Sequence, residues 1–104
     1  MFARISIYEI PDGRSHEATT AFGDAMSTIV AQRGLVDAYF LVGRESERAM
    51  VVTLWESEQA MAASRVTASR LRSEAARAVD AEILSVEEFE VAAHETGVAS
   101  ATEP

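Results

Sequence analysis

The chain has 104 residues, and its nine basic side chains, all arginine, stand against 17 acidic ones for a formal net charge of -8. That length supplies one core of ordinary size rather than two, and a composition 48% hydrophobic and 25% charged is that of a globular chain. The acidity argues against nucleic acid as a partner. The absence of Cys and Lys removes disulfides, thiolate metal sites, thiol nucleophiles, Schiff bases and the lysine-bearing phosphate loop.

Phe2 to Ile10 alternates at period two and reads as a strand stopped by Pro11-Asp12-Gly13. Ala3, Ile5 and Ile7 take one face, and Phe2, Arg4, Ser6, Tyr8 and Ile10 the other. From Ser15 to Gln32 the period becomes helical, with Ala18, Phe22, Met26 and Ile29 in one stripe, Ser15 as the expected N-cap and Gly34 as the stop. Leu35 to Gly43 and Ala49 to Trp55 read as a hairpin closed by the polar run Arg44 to Arg48. Ser57 is the expected cap of a helical segment reaching about Asp80, with a kink between Ser64 and Thr67. Glu82 to Ala92 reads as a fourth strand. The domain is expected over residues 1–93, with 94–104, small and polar, as a flexible tail. No apolar run has the roughly 18 residues of a membrane span and the start does not read as a leader, so neither a membrane nor export is expected and the address is cytoplasmic.

The order β-α-β-β-α-β predicts a ferredoxin-like α+β fold, a four-stranded antiparallel sheet with two helices on one face. The hairpin does not fit a sheet whose other side is wet. Val36, Ala38, Phe40 and Val42 would face one way and Leu35, Tyr39 and Leu41 the other, and the third strand is apolar on both sides too. Two helices cover one face, so a second copy of the chain is the expected cover of the other, in a homodimer packed sheet against sheet.

The segment VVTLWESEQA, Val51 to Ala60, carries a further signal. A strand ending in Trp-x-Ser and running into an acidic first helical turn, with Gly34-Leu35 before the second strand and a Glu-rich fourth strand, resembles the antibiotic-biosynthesis-monooxygenase-like (ABM) family of dimeric α+β barrels over about residues 2–92. The resemblance implies cofactor-independent oxygenation of anthrones and quinols in some members and haem degradation in others. Ser6 stands where haem-degrading members place an Asn, and no His lies between His16 and His94, so haem ligation by that route is not expected. Nor is there any Asn to join the Trp, Tyr and Arg that anthrone-oxidising members use.

The expected function is therefore cofactor-independent monooxygenation of a small apolar aromatic or quinol-like molecule in a pocket between sheet and helices, without metal or cofactor. Such chemistry needs an apolar cavity, a proton acceptor and donors for an enolate or phenolate oxygen. By the resemblance Trp55 falls at the family's pocket tryptophan. Tyr8, Ser6 and Arg4 share the helix-facing side of the first strand, and Ser64 lies at the kink. Trp55 serves equally as a core residue. Arg4 beneath a helix requires an anion or a carboxylate partner, unless it reaches solvent from near the chain start. Arg65, Arg70, Arg72 and Arg77 read as a solvated face, with one of them over the pocket mouth as the alternative, and Glu87, Glu88 and Glu90 read as charges guarding an exposed strand. His16 reads as a surface residue. The competing function is a non-catalytic dimeric module that binds a small ligand or only its twin.

Overall fold

The computed structural model describes residues 1–98; the last part of the expected tail, 99–104, lies outside the described residues. Seven elements follow in order: β1 (Phe2–Glu9), α1 (Ser15–Ile29), β2 (Leu35–Val42), β3 (Arg48–Trp55), α2 (Glu58–Ala63), α3 (Arg65–Ala78) and β4 (Glu82–Glu90). The strands form one antiparallel sheet in the order β2-β3-β1-β4. This is the ferredoxin-like order, with the second helical segment broken at Ser64 inside the expected kink.

Local chemistry explains the element ends. Ser57, in extended conformation, accepts the Ala60 N–H at 3.1 Å and caps α2. Ser15 does not cap α1. The N-cap residue is Arg14, which has no capping side-chain bond; its guanidinium instead reaches Glu17 and Asp80, tying the helix start to the turn after α3. α1 ends at Ile29, the last residue of its apolar stripe and three residues before the expected bound at Gln32, and tight turn bonds carry the chain on to Gly34. Gly34 has φ +89, its carbonyl accepts the Glu56 N–H, and a Cβ there would strike the Cβ of Ala60, so only glycine fits.

A register shift corrects one face assignment. Between Leu35 and Asp37 the β2 ladder skips a residue, so Leu35 lies opposite Trp55 on the helix side, while Tyr39 and Leu41 face away. The helix side holds two packed groups. Tyr8, Phe22 and Phe40 form an aromatic file with centroids 4.6 and 4.9 Å apart, joined by Ile10, Ala49, Ala76 and Val79. Ile29, Trp55 and Met61 form the second group. The opposite side presents Ile5, Ile7, Met50, Val52 and Leu54 half-buried beside exposed Tyr39, Leu41 and Phe89, and among the described residues no element covers it. Among the described residues, no helix is long and apolar enough to cross a membrane.

Candidate functional site

The alternation of β1 puts Arg4, Ser6 and Tyr8 on the helix side, all buried. Register pairing sets Thr53 beside Arg4 and Val51 beside Ser6. These five residues floor a hollow. Phe22, Ala25, Met26 and Ile29 of α1 wall one side, and Ala68, Leu71 and Arg72 of α3 the other. Counted out to its mouth the hollow holds about 440 Å³ of atom-free space, of which about 50 Å³ admits the centre of a water molecule. It is a narrow slot between otherwise apolar walls, with room for a few waters.

Five polar side chains converge on this slot: Arg4, Ser6, Tyr8, Thr53 and Arg72. Burial pushes the Tyr8 phenol above its ordinary pKa, while neighbouring Ser6 and the positive Arg72 act in the opposite direction. Tyr8 is thus a neutral donor at physiological pH. Arg72 also lines an outer groove with Arg4, Arg65, Ser69, Val86 and Glu88, so it stands at the junction of the slot and the surface.

Arg4 finds the carboxylate partner that its burial demands. It is 4% exposed and lies opposite Glu88 across the β1–β4 pair. Its Nε and Nη2 donate to Glu88 at 3.1 and 2.9 Å, Nη1 donates to Ser64 Oγ at 3.1 Å and Nη2 to the Met61 carbonyl at 2.8 Å. Four of its five N–H donors are thereby taken. Its guanidinium carbon also stands 5.8 Å from the Trp55 ring centre. Burial lowers the Arg4 pKa, with Glu88 opposing the change. Arg65 holds both oxygens of the same carboxylate, its Nε donating at 3.1 Å to the Oε2 that Arg4 also reaches and its Nη2 at 2.6 Å to Oε1. Glu88 is accordingly no idle charge on an exposed strand: Arg65 foremost, with Arg4 adding and burial opposing, holds it at about 2.

Of the five residues singled out from the sequence, Tyr8, Ser6 and Arg4 border the slot. Trp55 and Ser64 stand one layer behind it. The Trp55 indole N–H donates to Thr53 Oγ1 at 2.9 Å, and Ser64 Oγ donates to the Met61 carbonyl at 2.7 Å while accepting from Arg4. The structure adds Thr53, Arg72 and Glu88. Alternation marks Thr53, two residues before Trp55 on the same face. Arg72 is four residues from both Ala68 and buried Ala76, which sets it apart from the outward Arg70 and Arg77. Nothing local marks Glu88. His16 is exposed, and among the described residues no group of three or more His, Cys, Asp or Glu could hold a metal.

The antibiotic biosynthesis monooxygenase model matches residues 1–76. Among solved structures, a mutant of MhuD with two manganese protoporphyrin IX molecules per active site is 25% identical, covers 93% of this chain and 100% of its own, and superposes with a TM-score of 0.68. Proteins named for the monooxygenase family from Deinococcus radiodurans (8% identity, 95% and 100% coverage, TM-score 0.76) and Nitrosomonas europaea (10% identity, 89% and 100% coverage, TM-score 0.70) share the fold. No curated protein sequence matches the chain. With the family model spanning residues 1–76 and the ferredoxin-like sheet carrying its slot on the helix side, the chain belongs to the antibiotic biosynthesis monooxygenase family.

Proposed function

We propose that the chain is a cofactor-independent monooxygenase of a small aromatic or quinol-like molecule, acting in the cytoplasm as a homodimer. The observation that carries this reading is the convergence of Tyr8, Ser6, Thr53 and Arg72 on one apolar slot. In such a reaction one atom of O₂ enters the substrate, the other leaves as water, and the substrate supplies all four electrons. The substrate must first become an electron-rich anion. The positive charge of Arg72 favours ionisation of a phenol or enol placed beside it, and Tyr8 and Ser6 donate to the resulting oxygen. The proton leaves through the open mouth, because among the described residues no carboxylate or imidazole lines the slot. Trp55 and Ser64 position Thr53 and Arg4 from behind.

The slot offers no ligand to a haem iron among the described residues: neither histidine lines it, and the buried phenol of Tyr8 is held protonated. With a panel of anthrones and hydroquinones, wild type should consume O₂ above background, and Tyr8→Phe and Arg72→Gln should each lower kcat/KM by roughly 100-fold, as for removal of an oxyanion donor. Background rates in the wild type across the panel would sink the enzyme reading. The narrow slot and the lack of an inward base favour one other reading, a module that binds such a molecule without transforming it. Saturable binding with no O₂ uptake would identify it.

The homodimer rests on the uncovered apolar sheet face, whose Tyr39, Leu41 and Phe89 are exposed in the single chain. Light scattering should give a mass near twice 11.3 kDa at micromolar concentration. A mass of one chain would refute the dimer.

A further inference from the structure

The outer groove next to the slot has a charge opposite to that of the whole chain. Three guanidinium groups, those of Arg4, Arg65 and Arg72, meet there with one carboxylate, that of Glu88, in a chain of net charge -8. Arg4 and Arg65 are engaged by Glu88, whereas Arg72 has no carboxylate partner among the described residues and stands beside the Tyr8 hydroxyl. Its charge is nevertheless felt by both Arg4 and Tyr8. The groove is also roomier than the slot, with about 360 Å³ open to water centres against about 50 Å³. A half-buried cation with no carboxylate partner among the described residues, at the junction of an apolar slot and a basic groove, is set up for an anion that arrives with the ligand.

We propose that the ligand is a bipartite aromatic acid, its ring entering the slot and its carboxylate held in the groove by Arg72, with Arg65 and Ser69 alongside. This rests on the preceding reading of the slot as an aromatic site and names its substrate class. The planar guanidinium matches a carboxylate through two parallel N–H donors, which an ammonium or a neutral amide does not reproduce. The basic patch also offsets the repulsion that an acidic chain exerts on an anionic ligand. The slot is narrow, and a ring enters it only if its flexible wall residue Met26 shifts.

Calorimetric titration under nitrogen compares 2,5-dihydroxybenzoate with its methyl ester and with inorganic phosphate. The acid should bind about tenfold more tightly than the ester, the worth of one charge-assisted contact. Arg72→Gln should abolish that ratio, Arg72→Lys should keep part of it, and Arg77→Gln on the outer face should leave it unchanged. Circular dichroism of the same samples separates loss of binding from loss of fold. Equal binding of acid and ester, or an unaltered ratio in Arg72→Gln, overturns the carboxylate subsite and leaves the aromatic slot standing. Phosphate binding as tightly as the acid reduces the groove to a general anion site and overturns the bipartite ligand. No binding of acid or ester at millimolar concentration overturns the subsite and the aromatic slot together.

Discussion

Glu88→Ala is expected to cost about 3 kcal/mol of unfolding free energy, the lower end of what removing one partner from a buried pair entails. The lower end applies because a quarter of the Glu88 side chain is still exposed while Arg4 is 5% exposed. The loss arises mostly on the surviving side. Arg4 keeps Ser64 and the Met61 carbonyl as acceptors, but its charge stays beneath the α2–α3 junction without the carboxylate that faced it. Glu88→Gln retains an acceptor oxygen and should cost less than Glu88→Ala. Replacing both Arg4 and Glu88 with apolar residues of similar volume, Arg4→Met with Glu88→Leu, should recover most of the loss. Urea unfolding of the four proteins checks this, and a Glu88→Ala cost under about 1 kcal/mol would show that the pair does not hold β4 to the helices.

The same carboxylate sets an acid limb. Its folded pKa of about 2 lies below the ordinary 4.5, so the stability it contributes is fully present above pH 4.5 and is lost as pH falls from there toward 2. Wild-type stability should therefore fall more steeply across that window than that of Glu88→Gln. The variant keeps a shallower slope, because Arg14 also lowers the pKa of Glu17.

How far these features are legible in the sequence depends on the distance over which each is specified. The side on which Arg4, Ser6 and Tyr8 face follows from period two within nine residues, and the element order follows from changes of period. The cap at Ser57 is written in its own turn. The face of Leu35 is not, because a bulge adds one residue to a ladder and leaves no mark in apolar composition. The partner of Arg4 lies 84 residues away. It is fixed by the β1–β4 register, which sets Phe2 opposite Glu90 and so Arg4 opposite Glu88, and no turn joins these two strands to write that register locally. The sequence poses the question correctly, since an arginine under a helix demands an anion, but pleat parity only sets Glu87 apart, and the register in the folded sheet is what chooses Glu88 over Glu90. Arg72 illustrates the intermediate case. Helical spacing places it beside the alanine stripe, and only the tertiary packing shows that the stripe ends at a slot.

Trp55 ties β3 to α1 and α2 through Ile29 and Met61, and its replacement is the other large effect. Trp55→Ala should cost about 3–5 kcal/mol, because a fully buried side chain against Ile29 and Met61 leaves a cavity that helices on two sides cannot both close. Trp55→Phe separates volume from hydrogen bonding. It keeps most of the ring but removes the N–H that orients Thr53, and the cost should drop to about 1–2 kcal/mol. The site consequence differs in kind from that of Tyr8→Phe. Trp55 reaches the slot through Thr53, so Trp55→Phe frees the Thr53 hydroxyl to rotate and should weaken ligand binding only severalfold, with Thr53→Val giving the same loss and the double variant adding little to either. Denaturation and titration of these three proteins decide the role of the residue. A non-additive pair places Trp55 as a positioning residue behind the slot wall. Additive losses, with Trp55→Phe as severe for binding as Tyr8→Phe, would mean that the indole itself meets the ligand after the slot opens.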